Sequence, residues 1–201
     1  MPAPPAAAEQ ALAFLRRSGA ESIAHPGGTL LAHLQRVREQ LSVWGARPAL
    51  QLAGLCHAFY GTDGFSTALL ALDRRTDLAA VIGTEAEAIV YLYASCDRKA
   101  TYPVLTQRGS AFHDRFTGLR QMPQPRHRRD FAELTVANEL DLARADPVFR
   151  ERHGPELLAL FTRFRPLLTP AAWRDCGEVL ATPSSPPPSA SGNSPAAGPA
   201  H

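Results

Sequence analysis

The chain has 201 residues, with 21 Lys and Arg against 19 Asp and Glu and a formal net charge of +2, so it lacks the strong field that a nucleic-acid or membrane-surface binder uses. Its apolar content suits one sizeable core, while no apolar run reaches the roughly 18 residues of a bilayer span. Cys56, Cys96 and Cys176 form no C-x-x-C pair, which argues against a structural zinc site and predicts reduced thiols in a cytoplasmic compartment.

No basic segment followed by an apolar core opens the chain, so no signal peptide is expected. Residues 1–7 read as a flexible N-terminus, 8–181 as a single helical domain, and 182–201 (TPSSPPPSASGNSPAAGPAH) as a disordered tail that cannot bury enough apolar area to offset chain entropy. Within the domain, residues 8–17 carry Ala11, Leu12 and Leu15 and stop at Gly19. Gly27-Gly28-Thr29 opens a stronger helix, LLAHLQRVREQLSVWG, in which Leu30, Leu34, Val37 and Leu41 recur on one face. Pro48 suits the start of a central helix, Leu50 to Tyr60, which Gly61-Thr62-Asp63-Gly64 breaks. Phe65 to Leu72 reads as either a further helix or a packed loop.

Thr84-Glu85-Ala86-Glu87 has the capping-box pattern and introduces a helix to about Cys96. Residues 97–127 are irregular, with a short hairpin predicted around TYPVL and a solvated basic loop at Arg126-His127-Arg128-Arg129. Asp130-Phe131-Ala132-Glu133 repeats the capping pattern before a helix to Ala145. Pro147 and Pro155 each start a helix, and Pro170 starts a last one through Trp173. The sum is an all-α single domain.

His33 lies at the edge of its helix's buried stripe, and His57 lies four residues after Ala53 on the central helix. The short turn at Gly45–Pro48 makes these helices antiparallel neighbours, so both imidazoles point inward and each ring nitrogen needs a partner. That partner is either a metal ion or a carbonyl or hydroxyl. His25 precedes the helix start and can fold back to complete a His25–His33–His57 trio, which would suit mononuclear Zn²⁺ or Fe²⁺; its alternative is a plain loop histidine. Tyr60 and Thr62 set a phenol and a hydroxyl beside His57 on the glycine turn, available either to a ligand or simply to end the helix. His113-Asp114 is a literal His-Asp pair in the irregular segment, and Asp97-Arg98 either adds a charge pair at the same end of the bundle or caps a helix.

HLQRV around His33, the A-x-L-x-H helix end at His57, VIGTEAEAIVYL, and ELTVANELDLARAD resemble, in order and spacing, the HD-domain superfamily of metal-dependent phosphohydrolases, with a likeness to the hydrolase domain of the (p)ppGpp synthetase/hydrolases over about residues 10–146. The resemblance implies a helical bundle of the HD-domain/phosphodiesterase-like type and a site at His33, His57 and Asn138. Ala58 stands where the family has its Asp, Asn138 where it has its last Asp, and Gly61-Thr62 where the alarmone hydrolases carry a Glu-Asp pair. Without those carboxylates, standard HD hydrolysis is not expected. HPGGTLLAHL and HAFYGT are similar to a branch of HD-like proteins that carries Tyr-Gly-Thr in that place.

The function expected is therefore an enzyme acting on a small polar or phosphorylated metabolite. Its catalytic residues would be His57, Tyr60 and Thr62, with either one divalent metal (Zn, Fe or Mn) on His25, His33, His57 and Asn138 or no metal at all. The alternatives are a non-catalytic HD-fold protein that binds a ligand or regulates a partner, and a scaffold whose histidines are core residues. Nucleic acid and membrane are not expected partners, and the oligomeric state is left open.

Overall fold

Helix starts follow capping chemistry. In the computed structural model, which describes residues 4–181, the helices in chain order are α1 (Pro4–Arg17), α2 (Leu30–Val43), α3 (Pro48–Cys56), α4 (Arg75–Ile82), α5 (Thr84–Ala94), α6 (Arg98–Thr101), α7 (Pro125–Ala145), α8 (Pro147–Phe164) and α9 (Pro170–Leu180). Proline occupies the first turn of α3, α7, α8 and α9, where its fixed φ helps and its missing N–H costs nothing. Side chains of Thr29, Asp97, Asp146 and Thr169 accept the first free N–H groups of α2, α6, α8 and α9.

The regular strands among the described residues are two antiparallel two-residue hairpins. β1 (Ala24–His25) pairs with β2 (Gly28–Thr29), and β3 (Phe112–His113) pairs with β4 (Arg120–Gln121). The protein is largely all-α, as its sequence predicts. Helix α7 is the hub, buried almost continuously from Asp130 to Ala143 and packed against α2, α3, α5, α8 and α9. Helices α1 and α4 close the far side on α3 and α5. Cys56, Cys96 and Cys176 are free and buried, and no helix among the described residues is long and apolar enough to cross a membrane.

Several boundaries differ from the sequence reading. Helix α1 begins at Pro4, and Ala7 is already buried; the tail predicted at 182–201 lies outside the described residues. Helix α4 fills a stretch to which periodicity assigned nothing. Gly83, with φ +85°, precedes α5, so Thr84 is the first helical residue and makes no side-chain cap. The hairpin forms at 112–121, while TYPVL starts on the last residue of the short α6, Thr101, and continues as turns. Helix α7 begins at Pro125, five residues before the predicted cap, so the basic cluster lies inside its first two turns. There Arg128 donates to the carbonyls of Leu105 and Gln107 and clamps the irregular segment. Residues 147–164 form one helix rather than two. Pro155 sits on its exposed side, where the carbonyl it leaves unpaired meets water.

Candidate functional site

Helices α2 and α3 approach each other over a glycine. A Cβ at Gly54 would lie 2.5 Å from Leu41 Cδ1 and 3.5 Å from Val37 Cγ1. One turn further along α3, the His57 ring meets His33, one turn earlier on α2, edge to face with centroids 5.3 Å apart. Opposite progress along the two helices makes them antiparallel, as predicted, and carries both histidines to one end, where they are 1 % and 3 % exposed.

The His33 ring is held at both nitrogens. Its Nδ1 lies 2.6 Å from Asp141 Oδ2 and its Nε2 lies 3.1 Å from Asn138 Oδ1. A carboxylate only accepts, so the Nδ1 proton belongs to His33. Asp141 is itself fixed by Arg36, whose Nε donates to Oδ1 at 2.7 Å and whose Nη2 donates to Oδ2 at 2.9 Å. Burial pushes the Asp141 carboxyl up, but the hydrogen bonds from His33 and Arg36 outweigh it and hold the group below its ordinary value. The same guanidinium donates to the carbonyls of Pro26 and Gly27, tying the β1–β2 hairpin to the Asp–His pair.

His57 Nδ1–H donates to the Gly54 carbonyl at 2.8 Å, which leaves the lone pair of a neutral ring on Nε2. Burial, and then the neighbouring His33, lower its pKa to about 3. His25 stacks on His33 with centroids 4.1 Å apart and planes 28° apart, and Phe65 meets it edge-on. Burial and His33 lower the His25 pKa to about 4. Its Nδ1 is buried with no hydrogen-bond partner among the described residues.

The three rings line a cavity of about 390 Å³, together with Ala58, Thr62, Arg98, Asn138 and Glu139. Thr62 is set there by the glycine turn. Gly61 has φ +67°, and a Cβ on it would lie 3.0 Å from the Ser66 carbonyl oxygen; Thr62 and Phe65 then exchange backbone hydrogen bonds. His25, His33, His57, Thr62 and Asn138 are thus brought together. Tyr60 is not: its hydroxyl donates to Glu87 Oε1 at 2.9 Å, beside Arg75 on the α4–α5 side, and it does not line the cavity. Helix α3 ends at Cys56, and the turns that follow rotate Tyr60 away from His57.

His113 pairs with Arg120 in the distal hairpin and does not line the cavity. Asp97 caps α6, while Arg98 turns inward and donates to Glu139 Oε1 at 3.1 Å. The sequence reading left the site without carboxylates; the structure adds Asp141 behind His33 and Glu139 in the wall. Asn138, Glu139 and Asp141 fall within four positions on the buried stretch of α7, and Arg36 stands three residues after His33; the only trace of them in the sequence was this clustering, which on so polar a helix reads as a solvated face.

A family profile described as a domain of unknown function, DUF6817, matches residues 14–98. That span holds His25, His33, His57 and Thr62 and stops at Arg98. No curated protein and no solved structure matches the chain.

The expected metal trio can be tested on this geometry. Two donors each about 2.1 Å from one ion stand roughly 3 Å apart, a spacing that His33 Nε2 and Asn138 Oδ1 meet. His25 does not fit. Stacked rings send their in-plane lone pairs side by side, so His25 and His33 do not converge on one point. Among the described residues, no group of three or more His, Cys, Asp or Glu side chains is placed to hold a metal ion.

Proposed function

We propose that the protein is an enzyme of HD-like helical-bundle type that acts on a small polar metabolite by proton transfer, with His33 as the acid–base group. The observation that carries this reading is the Arg36–Asp141–His33 chain, whose outer nitrogen lies at the cavity wall beside the Asn138 amide. Asp141 orients the ring and keeps the proton on Nδ1, so the proton exchanged with a bound molecule is the one that Nε2 directs at the Asn138 oxygen. Neutral His57 and the Thr62 hydroxyl supply polar contacts. The HD-like assignment is supported by the placement of His33 on α2, His57 at the end of α3 and Asn138 on α7 around one cavity. No step runs through a metal ion, since the donors present do not make the implied set.

A second reading, a non-catalytic ligand-binding module, is favoured by the Asn138 contact that already occupies His33 Nε2. One experiment separates the two. Wild-type protein and the His33→Ala variant are each incubated with a cell metabolite extract and followed by mass spectrometry. Consumption of a metabolite by wild type alone supports the enzyme; no consumption, with a metabolite retained on the protein, supports the binding module.

A further inference from the structure

The ligand's charge can be argued from the cavity wall. Each ionised side chain there carries its own counter-ion: Arg98 faces Glu139 at 3.1 Å, and Asp141 behind His33 is held by Arg36. A helix N-terminus is the common alternative for holding an anion, through its free N–H groups. Helix α2 begins at this cavity, with Leu30 in the lining, but its first turn has nothing to offer. The Leu30 N–H donates to the Ile23 carbonyl at 2.8 Å, that of Leu31 to the Ala20 carbonyl at 3.1 Å, and that of Ala32 to Thr29 Oγ1 at 3.2 Å. In the glycine turn, the N–H groups of Gly61, Thr62 and Phe65 are likewise spent on backbone carbonyls.

The groups that remain are uncharged. His25 Nδ1 is buried and unpartnered, and a buried polar atom in that state marks the place of a bound group or an ordered water. The Thr62 hydroxyl shares the wall with the apolar faces of Phe65, Leu142 and Phe149, while the Asn138 amide is already engaged by His33 Nε2 and by Glu139 Oε1.

We infer that the cavity takes an uncharged polar molecule with one apolar face and one hydrogen-bonding edge, and that it rejects phosphorylated metabolites. The inference rests on reading this cavity as the ligand site. A phosphate entering it would shed its hydration, meet Glu139, and find no unmatched cation. An uncharged amide, hydroxyl or heterocycle loses far less hydration on entering.

The test records imidazole resonances of the full chain by NMR while adding nicotinamide, adenosine or ribose, and then AMP, ribose 5-phosphate or inorganic phosphate, at matched concentrations. At least one uncharged probe is expected to shift the His25, His33 and His57 signals, and the phosphorylated probes are expected to leave them in place. Glu139→Gln, which removes the counter-charge on Arg98, is expected to raise affinity for inorganic phosphate about tenfold, with the circular dichroism spectrum unchanged. If AMP or phosphate shifts wild-type imidazoles as strongly as the uncharged probes do, the charge inference falls and the site reading stands. If no probe moves the three imidazoles, both fall.

Discussion

At the scale of single residues, the feature that sets this site apart is a buried carboxylate serving one histidine. Asp141 accepts hydrogen bonds from His33 and Arg36 at once, so Asp141→Asn weakens two contacts while keeping the side chain's shape. We expect a stability loss of about 2 kcal/mol in urea, less than the roughly 3–5 kcal/mol of a fully buried pair, because the Arg36 side chain is 38 % exposed. The same variant should lose any turnover found for wild type, whereas an unchanged rate would remove Asp141 from the mechanism. His57 makes a separate prediction. Its folded pKa is lowered to about 3 against an ordinary value near 6.5, so the unfolded chain takes up the proton first. Stability is then full above pH 6.5 and declines as the pH falls toward 3, by at most about 1.4 kcal/mol per pH unit for this group. His33 and Tyr93 meet the ring edge-on, and His25 acts on it through its charge; two of the three are histidines, so the control is His57→Gln, which should flatten the slope by that amount. An identical slope in the variant would place the pH dependence elsewhere. His33 and His57 were legible from their places on the apolar faces of helices. Asp141, Glu139 and Arg36 were not, because charged residues on a helix read as a solvent face until the helix is known to be enclosed on nearly every side.

At the scale of elements, two helices do most of the positioning. Gly54 lets α3 settle on α2 closely enough for His57 to reach His33, a distance that glycine's poor helix propensity would otherwise make a poor exchange. Gly54→Ala would gain about 1 kcal/mol from propensity alone, but its new Cβ meets fully buried Leu41 at 2.5 Å. Overpacking of that kind costs about 1–3 kcal/mol. We expect a net loss of melting temperature, partly recovered in the Gly54→Ala/Leu41→Val double variant; a stabilised Gly54→Ala protein would show that the helices part without penalty. Helices α2, α5 and α7 could be read from their periodicity because each carries one dense apolar stripe. Helix α4 escaped because Arg75 to Ile82 spans only two turns, with Leu78 and Ile82 alone buried. Pro155 misled in the other direction: a proline costs one hydrogen bond and a local clash, and an exposed helix side can absorb both where a buried one could not.

At the scale of the whole molecule, the HD-like reading can be tested by rebuilding what the sequence lacks. Ala58 is 2 % exposed and lines the cavity between the two histidine-bearing segments, and Asn138 stands 3.1 Å from His33 Nε2. If the bundle places these positions as HD proteins do, Ala58→Asp with Asn138→Asp creates a set of two imidazoles and two carboxylates, the donor balance that suits a divalent ion. Without metal, two added carboxylates in so enclosed a place should destabilise the fold by several kcal/mol, or take up protons and stay neutral. With Zn²⁺ or Mn²⁺, binding to the folded state alone should recover the loss, since at a hundredfold excess over Kd a ligand contributes about 2.7 kcal/mol. The measurement is melting temperature and elemental analysis of the double variant beside wild type, each with and without added metal. A metal-dependent rise confined to the variant, with close to one ion per chain, would support an HD-like arrangement whose ligands have been exchanged for neutral residues. A variant that stays destabilised at every metal concentration would mean that the four positions do not converge, and that the resemblance in helix order does not extend to the site.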